Sequence, residues 1–334
     1  MRFGIGLSVQ HRPEEPQARR FAEHLEQVRL ARRLGFASIF ASQHYLSDPF
    51  TYFQPIPTLA RVAAEAEGMT LGTGVILLPL HHPVELAEQL ATLDVITDGR
   101  LVVGLGLGYR DAENLALGLE PKDRVGRLVE GLEVLERVWS GEPVDYAGKH
   151  FRLSNVRISM PPAQRPRPPI WLAANGDVGV KRAARLADTW LINPHTALPT
   201  LERQLALFHA ERRVAGRPPA AEVPLIRECY VAESAATAFE EVRPYVEPKY
   251  QAYRQWEQEK ALPEGETWSS AFAELARDRF IIGDPGRVRE EIARYRERLG
   301  VTSMIFRLQW PGLDQARVLR SIRLFGEQVL PHFA

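Results

Sequence analysis

The sequence contains little cysteine and no excess of charge of either sign. Cys229 is the only cysteine among 334 residues, which excludes an intramolecular disulfide and a cysteine-based metal cluster. Lysine plus arginine and aspartate plus glutamate each number 42, so no net field attracts nucleic acid or an anionic membrane. No apolar run approaches the length of a transmembrane helix, and Met1 leads into a strand-like segment that does not resemble a signal peptide. We therefore expect a cytoplasmic protein that binds neither nucleic acid nor membrane.

Several motifs of catalysis and metal binding are also missing. The sequence contains neither a P-loop nor a nucleophile elbow. The adjacent histidines His81 and His82 would point apart on a strand, and no carboxylates accompany them at metal-ligand spacing. We therefore expect no metal site, and an organic cofactor that brings its own chemistry becomes the favoured alternative.

Two neighbouring predicted strands carry glycine on one face. In residues 101–108 bulky residues alternate with glycines, and residues 70–77 repeat the pattern more weakly. The glycines concerned are Gly72 and Gly74 on the first strand and Gly104, Gly106 and Gly108 on the second. Such a pair could form a shallow wall for a planar ring, because glycine lets a ligand approach the backbone closely. The alternative is tight packing of the sheet, and the glycines alone do not decide between the two.

Strand-like and helix-like segments alternate along the chain. Eight predicted strands are each followed by a helix, a count that favours a (β/α)8 TIM barrel over an open doubly wound sheet. We predict a single domain over residues 1–334, with insertions at about 141–168 after strand four and 233–280 after strand seven. The first insertion contains a hairpin-like segment. The second is rich in tyrosine and tryptophan, so it could form a lid over a hydrophobic substrate or pack a small core of its own.

In a TIM barrel the active site lies at the carboxyl ends of the strands. His44 follows strand two, Tyr109 follows strand four, and residues 174–180 follow strand five and begin a helix. Free amide groups and the helix dipole at that turn would favour an anion, most simply a phosphate. An ordinary helix cap made by Asn175 or Asp177 is the alternative, and the two roles can share one turn.

The assembled segments resemble the luciferase-like flavin-dependent oxidoreductases, the superfamily of bacterial luciferase. The resemblance extends over nearly the whole chain and lies in these stretches: Ala31–His44, Gly72–Pro79, Glu88–Asp94, Asp98–Gly108 and Ile282–Pro285. It implies a TIM barrel that binds FMN, reduced FMN delivered by a separate flavin reductase, or the deazaflavin coenzyme F420. It also implies a homodimer.

The resemblance assigns roles to single residues. His44 matches the active-site histidine of the family, and Gly74–Val75 matches a non-prolyl cis peptide under the flavin ring. Leu107 stands where luciferase has a phosphate-binding arginine, so Arg110 or the amides of residues 176–180 would have to compensate. The predicted cofactor-binding residues are Gly74, Val75, Gly106, Leu107, Gly108, Tyr109, Ala174, Asn175, Gly176, Asp177 and Gly179.

The favoured function is a monooxygenase that uses reduced FMN and O2 on a small organic substrate. An F420-dependent dehydrogenase or reductase, which transfers hydride without oxygen, is the main alternative, and a non-catalytic flavin-binding protein is the third. FMN is preferred because the compact turn at residues 175–180 suits a terminal phosphate, whereas the uncharged segment 77–80 offers nothing to a long acidic tail.

Overall fold

Eight parallel strands close into a barrel. The computed structural model describes residues 1–269 and 271–333. Each strand pairs with the next along the chain, β4 pairs with β5, and β8 closes the ring by pairing with β1. The strands are β1 (Arg2–Gly6), β2 (Ser38–Ala41), β3 (Thr70–Thr73), β4 (Leu101–Gly106), β5 (Ile170–Ala174), β6 (Thr189–Ile192), β7 (Pro224–Val231) and β8 (Ser303–Arg307). The predicted (β/α)8 barrel is confirmed.

Helices follow the strands and cover the barrel from outside. Prolines stand in the first turns of several of them, where the missing amide hydrogen costs nothing, and the Asp284 side chain caps the helix that begins at Pro285. The helices are α1 (Gln17–Arg33), α2 (Pro55–Ala63), α3 (Pro83–Ile96), α4 (Asp111–Ala116), α5 (Arg124–Val138), α6 (Asp177–Leu186), α7 (Leu198–Val214), α8 (Ala235–Gln255), α9 (Phe272–Ala276), α10 (Pro285–Leu299) and α11 (Gln315–Gln328). None of the helices in the described part of the chain is long and apolar enough to span a bilayer.

The two segments that sequence analysis treated as insertions have different structures. Between α5 and β5, strands Val144–Ala147 and Arg152–Val156 form an antiparallel hairpin. After β7, the long helix α8 begins almost at once, and its buried Val242, Val246 and Tyr250 form one apolar stripe. Residues Phe280–Gly283 then pair in parallel with the end of β7. This strand is absent from the sequence interpretation, which treated residues 233–280 as one insertion.

The lower half of the barrel interior is filled by aromatic packing. The Phe40 ring stacks on Trp171 with centroids 5.6 Å apart, and Val102, Leu191, Ile226 and Ile305 surround the pair. A Cβ atom at Gly72 would lie 2.1 Å from the Phe40 ring, and one at Gly104 would lie 1.9 Å from the Thr73 carbonyl oxygen. For these two glycines the packing interpretation is therefore correct, because the barrel core itself leaves no room for a side chain.

Candidate active site

A cavity of about 640 Å3 lies at the carboxyl ends of the strands. Every predicted site residue except Asp177 lines it: His44, Gly74, Val75, Gly106, Leu107, Gly108, Tyr109, Ala174, Asn175, Gly176 and Gly179. The sequence therefore identified the correct end of the barrel and most of the residues around its mouth. Other contributors, which it did not predict as ligands, include Tyr52, Arg124, Arg182, Tyr253 and Arg307.

The stacked Phe40 and Trp171 rings, with the aliphatic side chains around them, form an aromatic floor below the cavity. Above this floor, the wall formed by β3 and β4 has the expected shape. The Gly74–Val75 peptide bond is cis, as predicted. A Cβ atom at Gly106 would lie 2.7 Å from Val75 Cγ2, so glycine is required for this segment to pack against β4. The wall at Gly74, Val75, Gly106 and Gly108 is thus flat and mainly backbone, a surface that a planar ring system can approach.

Gln43 holds this wall in place. Its side-chain oxygen accepts hydrogen bonds from the Leu77 amide and from His81 Nε2, both at 3.0 Å. Burial lowers the pKa of His81 to about 4, so the ring is neutral at neutral pH and can donate from Nε2. The backbone N–H of Gln43 also donates to the Val75 carbonyl oxygen, at 3.0 Å. Gln43 therefore positions the backbone that follows the cis bond.

His44 is paired with a buried carboxylate. Its Nδ1 lies 2.9 Å from Glu113 Oε1, and the Tyr45 amide donates to the same oxygen at 2.9 Å. Glu113 is 1% exposed, and the Arg110 guanidinium lies 3.6 Å from it. A carboxylate on Nδ1 fixes the tautomer and orientation of the ring and leaves Nε2 as the nitrogen available to the cavity.

The start of α6 has the features of an anion site. Its N-cap is Gly176, and no side chain caps the free amide groups of the first turn. Arg182, one turn further along α6, lines the cavity, and burial lowers its pKa. A Cβ atom at Gly176 would meet open space, whereas one at Gly179 would lie 3.0 Å from Ala174 Cβ. Gly179 is therefore required by the close contact between α6 and β5 in addition to lining the cavity.

Two residues expected near a phosphate are engaged elsewhere. The Asp177 carboxylate pairs with Arg203 at 2.6 Å and accepts from Gln204 Nε2 at 3.0 Å, so it does not line the cavity. The Arg110 guanidinium donates to the Tyr45 and Leu46 carbonyl oxygens and stacks 4.4 Å from the Trp256 ring. Arg110 thus fastens the loop after β2 to the end of α8. Arg110 does not line the cavity in this structure, so a phosphate-binding role for it gains no support.

The segment from Tyr253 to Ala261 covers the cavity. Trp256 Nε1 donates to the Asp48 carbonyl oxygen at 2.9 Å, and the Tyr109 hydroxyl donates to Gln258 Oε1 at 3.3 Å. Burial raises the pKa of Tyr253 to about 12 and that of Tyr109 well above its ordinary value, so both phenols are neutral at neutral pH. Tyr109 and Tyr253 line the cavity, while Tyr250, Trp268 and Phe272 of the same region pack among themselves and with Phe280. The packing interpretation is therefore correct for Tyr250, Trp268 and Phe272, while the lid interpretation stays a prediction for the residues beside the cavity.

A cluster of buried charges stands on the far side of the cavity. Glu228 accepts from Lys249 Nζ at 2.6 Å and from Trp310 Nε1 at 2.8 Å. Arg307 Nη1 lies 3.5 Å from the same carboxylate. Although burial by itself favours the neutral acid, the charges of Lys249 and Arg307 hold the pKa of Glu228 below its ordinary value. The cluster therefore contains two cations and one carboxylate.

Comparison with known proteins places this arrangement in a family. A family model described as luciferase-like monooxygenase matches residues 1–303. The chain belongs to the luciferase-like monooxygenase family. The resemblance noted from the sequence is thus confirmed, and the chain is an oxidoreductase.

Relatives of this luciferase-like chain use more than one cofactor. Its structure is similar to the monooxygenase RslO1 from Streptomyces bottropensis, with a TM-score of 0.89, 28% sequence identity and 100% of each chain covered. It is 29% identical to the F420-dependent glucose-6-phosphate dehydrogenase of Microbacterium testaceum, over 90% of each chain. It is 24% identical to the oxygenase component of the flavin-dependent trigonelline monooxygenase of Acinetobacter baylyi, over 100% of this chain and 96% of the relative. Flavin-dependent monooxygenases and F420-dependent dehydrogenases are both relatives.

Sequence reasoning missed the partner of His44 in this luciferase-like enzyme. Glu113 lies 69 residues beyond His44, in the first turn of the short helix α4. The sequence offered one usable signal, an acidic residue in the first turn of a helix that follows a strand exit.

In the described residues no three His, Cys, Asp or Glu side chains are arranged as metal ligands would be.

Proposed function

We propose that this luciferase-like enzyme is a monooxygenase that binds FMN and oxidises a small organic substrate with reduced FMN and O2. The observation that carries the proposal is the compact turn at Gly176, where uncapped amide groups and Arg182 suit a single terminal phosphate. The flat backbone wall at Gly74, Val75 and Gly106 fits the ring of the same cofactor. When bound, reduced FMN supplies the activation of O2.

The protein residues would position this chemistry and manage its protons. The wall of β3 and β4 would orient the ring, and the turn before α6 would anchor the phosphate. Glu113 would keep a proton on Nδ1 of His44, so that Nε2 could accept or deliver a proton at the reacting group. Tyr253 and the segment after it would exclude water from the cavity.

The choice between FMN and F420 can be tested at the turn that precedes α6, around Gly176. We expect FMN to bind the wild-type chain more tightly than F420 does, as measured by calorimetric titration. Gly176→Leu should weaken FMN binding by more than tenfold, a loss of about 1.4 kcal/mol or more, because the new side chain would occupy the space beside the free amide groups. The apoprotein melting temperature should hardly change, since Gly176 has an ordinary φ of −83°.

Gly179→Leu is the matched contrast for this variant. The side chain would press on Ala174 of β5, so we expect it to lower the melting temperature of the apoprotein as well as FMN affinity. Unchanged FMN affinity in Gly176→Leu would place the phosphate elsewhere. Tight F420 binding without FMN binding would replace the proposal with the dehydrogenase alternative.

An F420-dependent dehydrogenase or reductase is the second candidate, and relatives such as the Microbacterium enzyme favour it. A non-catalytic flavin-binding protein is the third candidate. It is disfavoured by the buried Glu113 carboxylate on His44, an arrangement suited to proton transfer.

We also propose that the enzyme is a cytoplasmic homodimer that receives reduced FMN from a separate flavin reductase. The exposed Val95 and Ile96 at the end of α3 would suit a contact between subunits.

The covering segment provides a further prediction. Residues 253–261 contact the loop after β2 and Tyr109 through few bonds, so they should open to admit ligands and become ordered when the cavity is filled. Saturation with FMN should slow amide hydrogen exchange in residues 253–261, measured by mass spectrometry. Exchange in the hairpin at residues 144–156 serves as the internal control and should not change. Identical exchange in 253–261 with and without FMN would refute the lid role.

A further inference from the structure

Arg307 stands inside the barrel mouth, opposite the proposed flavin wall. On β8, Ile305 belongs to the aromatic floor, so Arg307, two residues further, lies on the same inner face one layer higher. It lines the cavity. In the closed ring of eight strands, β8 is four strands away from β4 and therefore faces it across the barrel. A ring lying on the β3 and β4 wall would present its free face to Arg307.

The guanidinium of Arg307, which belongs to a partly buried side chain, has few acceptors around it. Among the described residues no oxygen accepts a hydrogen bond from it, and its Nη1 is buried without a partner. Glu228, its neighbour in register on β7, lies 3.5 Å away and already accepts from Lys249 and Trp310. A buried donor without an acceptor costs free energy, so a ligand atom that accepts from this nitrogen would be stabilised.

The local charge balance is also incomplete. Lys249 and Arg307 carry two positive charges against the single negative charge of Glu228. The carboxylates that line the cavity, Asp111 and Glu257, lie near its rim and pair with Arg124 and Lys260 respectively. One positive charge on the inner wall is therefore uncompensated, and a cavity that encloses such a charge favours an anion.

We propose that the substrate of this enzyme carries a carboxylate that binds to Arg307. The guanidinium offers a planar fork of donors that matches a carboxylate in two parallel hydrogen bonds. Tyr52, Tyr253 and Ile226 line the same cavity, so the body of the substrate is flat and apolar. The inference rests on the proposed function for the position of the flavin, and it names the class of substrate as an aromatic or similarly flat organic acid.

The test compares acids with their neutral amides on FMN-loaded protein. Benzoate and phenylacetate are titrated alongside benzamide and phenylacetamide, and binding is followed by the change in the FMN absorption spectrum. We expect at least one acid to bind more than tenfold tighter than its amide. Arg307→Met should abolish this preference while FMN affinity stays within about twofold, and Arg307→Lys should retain part of it. Lys keeps the charge but not the fork of donors.

A second measurement needs no ligand. Because Arg307 is a charge without a full partner, Arg307→Met should leave the melting temperature of the apoprotein unchanged or raise it. Equal binding of acid and amide, an acid preference that persists in Arg307→Met, or no acid binding at millimolar concentration would each overturn the inference. So would a loss of FMN affinity in Arg307→Met, because it would assign the arginine to the cofactor. If FMN does not bind at all, the proposed function fails, and the same comparison on F420-loaded protein still decides the carboxylate inference.

Discussion

Replacement of His44 by alanine should reduce turnover by about 10²–10⁴, the usual contribution of a positioned acid–base group. The ring lines the cavity, and Glu113 on Nδ1 leaves Nε2 available to the reacting group. FMN affinity should stay close to that of the wild type, and the melting temperature should fall only slightly, since the Tyr45 amide and the Arg110 guanidinium still stand beside Glu113 when the ring is removed. Turnover is measured as the rate of product formation per enzyme, with a substrate of the acid class inferred for Arg307, and O2 consumption is followed in parallel.

Glu113→Gln separates proton transfer from simple packing. The amide keeps the size of the side chain and an oxygen that can accept from His44 and Tyr45, but it removes the negative charge beside the ring. We expect a smaller loss of turnover than in His44→Ala, because the amide still holds the ring in place but no longer puts a negative charge beside it. Wild-type turnover in His44→Ala would make this histidine a structural residue. Wild-type turnover in Glu113→Gln would remove the electrostatic role of the carboxylate.

Replacement of Lys249 by methionine should lower the free energy of unfolding by about 3–5 kcal/mol. The substitution leaves Glu228, which is fully buried, without the cation that donates to its Oε1 at 2.6 Å. Trp310 would still donate to the other oxygen, but a neutral donor does not replace a charge. The measurement is urea denaturation monitored by tryptophan fluorescence, with equal slopes required for the comparison.

The double variant Lys249→Met, Glu228→Gln is the matched control. It removes both members of the pair, so no uncompensated carboxylate remains and most of the lost stability should return. A loss of less than about 1 kcal/mol in Lys249→Met alone would mean that Arg307 moves to Glu228 and takes over the role of the lysine. The charge surplus argued for Arg307 would then be smaller than the static structure implies.

Periodicity was sufficient to predict the barrel, because each strand and helix is specified locally. The alternation of strand-like and helix-like segments correctly predicts eight strands and the hairpin between α5 and β5. The strand Phe280–Gly283 was not predicted, since its pairing with the end of β7 is a long-range contact that leaves no mark in a four-residue pattern. Sequence analysis also treated residues 70–77 as one strand. The structure has two short strands there, Thr70–Thr73 and Ile76–Leu77, with the cis bond between them.

The candidate site was predicted where position along the chain determines position in space. Strand exits share one end of a barrel, so His44, Tyr109 and Gly176 were placed around one cavity correctly. The pairing of side chains was not predictable in the same way. Nothing in the sequence indicates that Asp177 would turn to Arg203, or that Glu113 would reach His44. The glycines on β3 and β4 looked equivalent, yet only the tertiary packing of Phe40 distinguishes Gly72 from Gly106.

The stacked rings of Phe40 and Trp171 close the barrel interior below the large cavity. A smaller cavity of about 210 Å3 lies on the other side of this pair, where Arg2, Arg100 and Glu222 contribute to its lining. The two rings and the aliphatic side chains around them separate this smaller cavity from the large cavity at the carboxyl ends of the strands. Within the described residues these side chains close the barrel beneath the larger cavity, so FMN bound there as proposed would exchange oxygen, protons and water through the mouth. For the proposed FMN and O2 chemistry, the loss of hydrogen peroxide would then be controlled at this mouth, next to which the segment 253–261 lies.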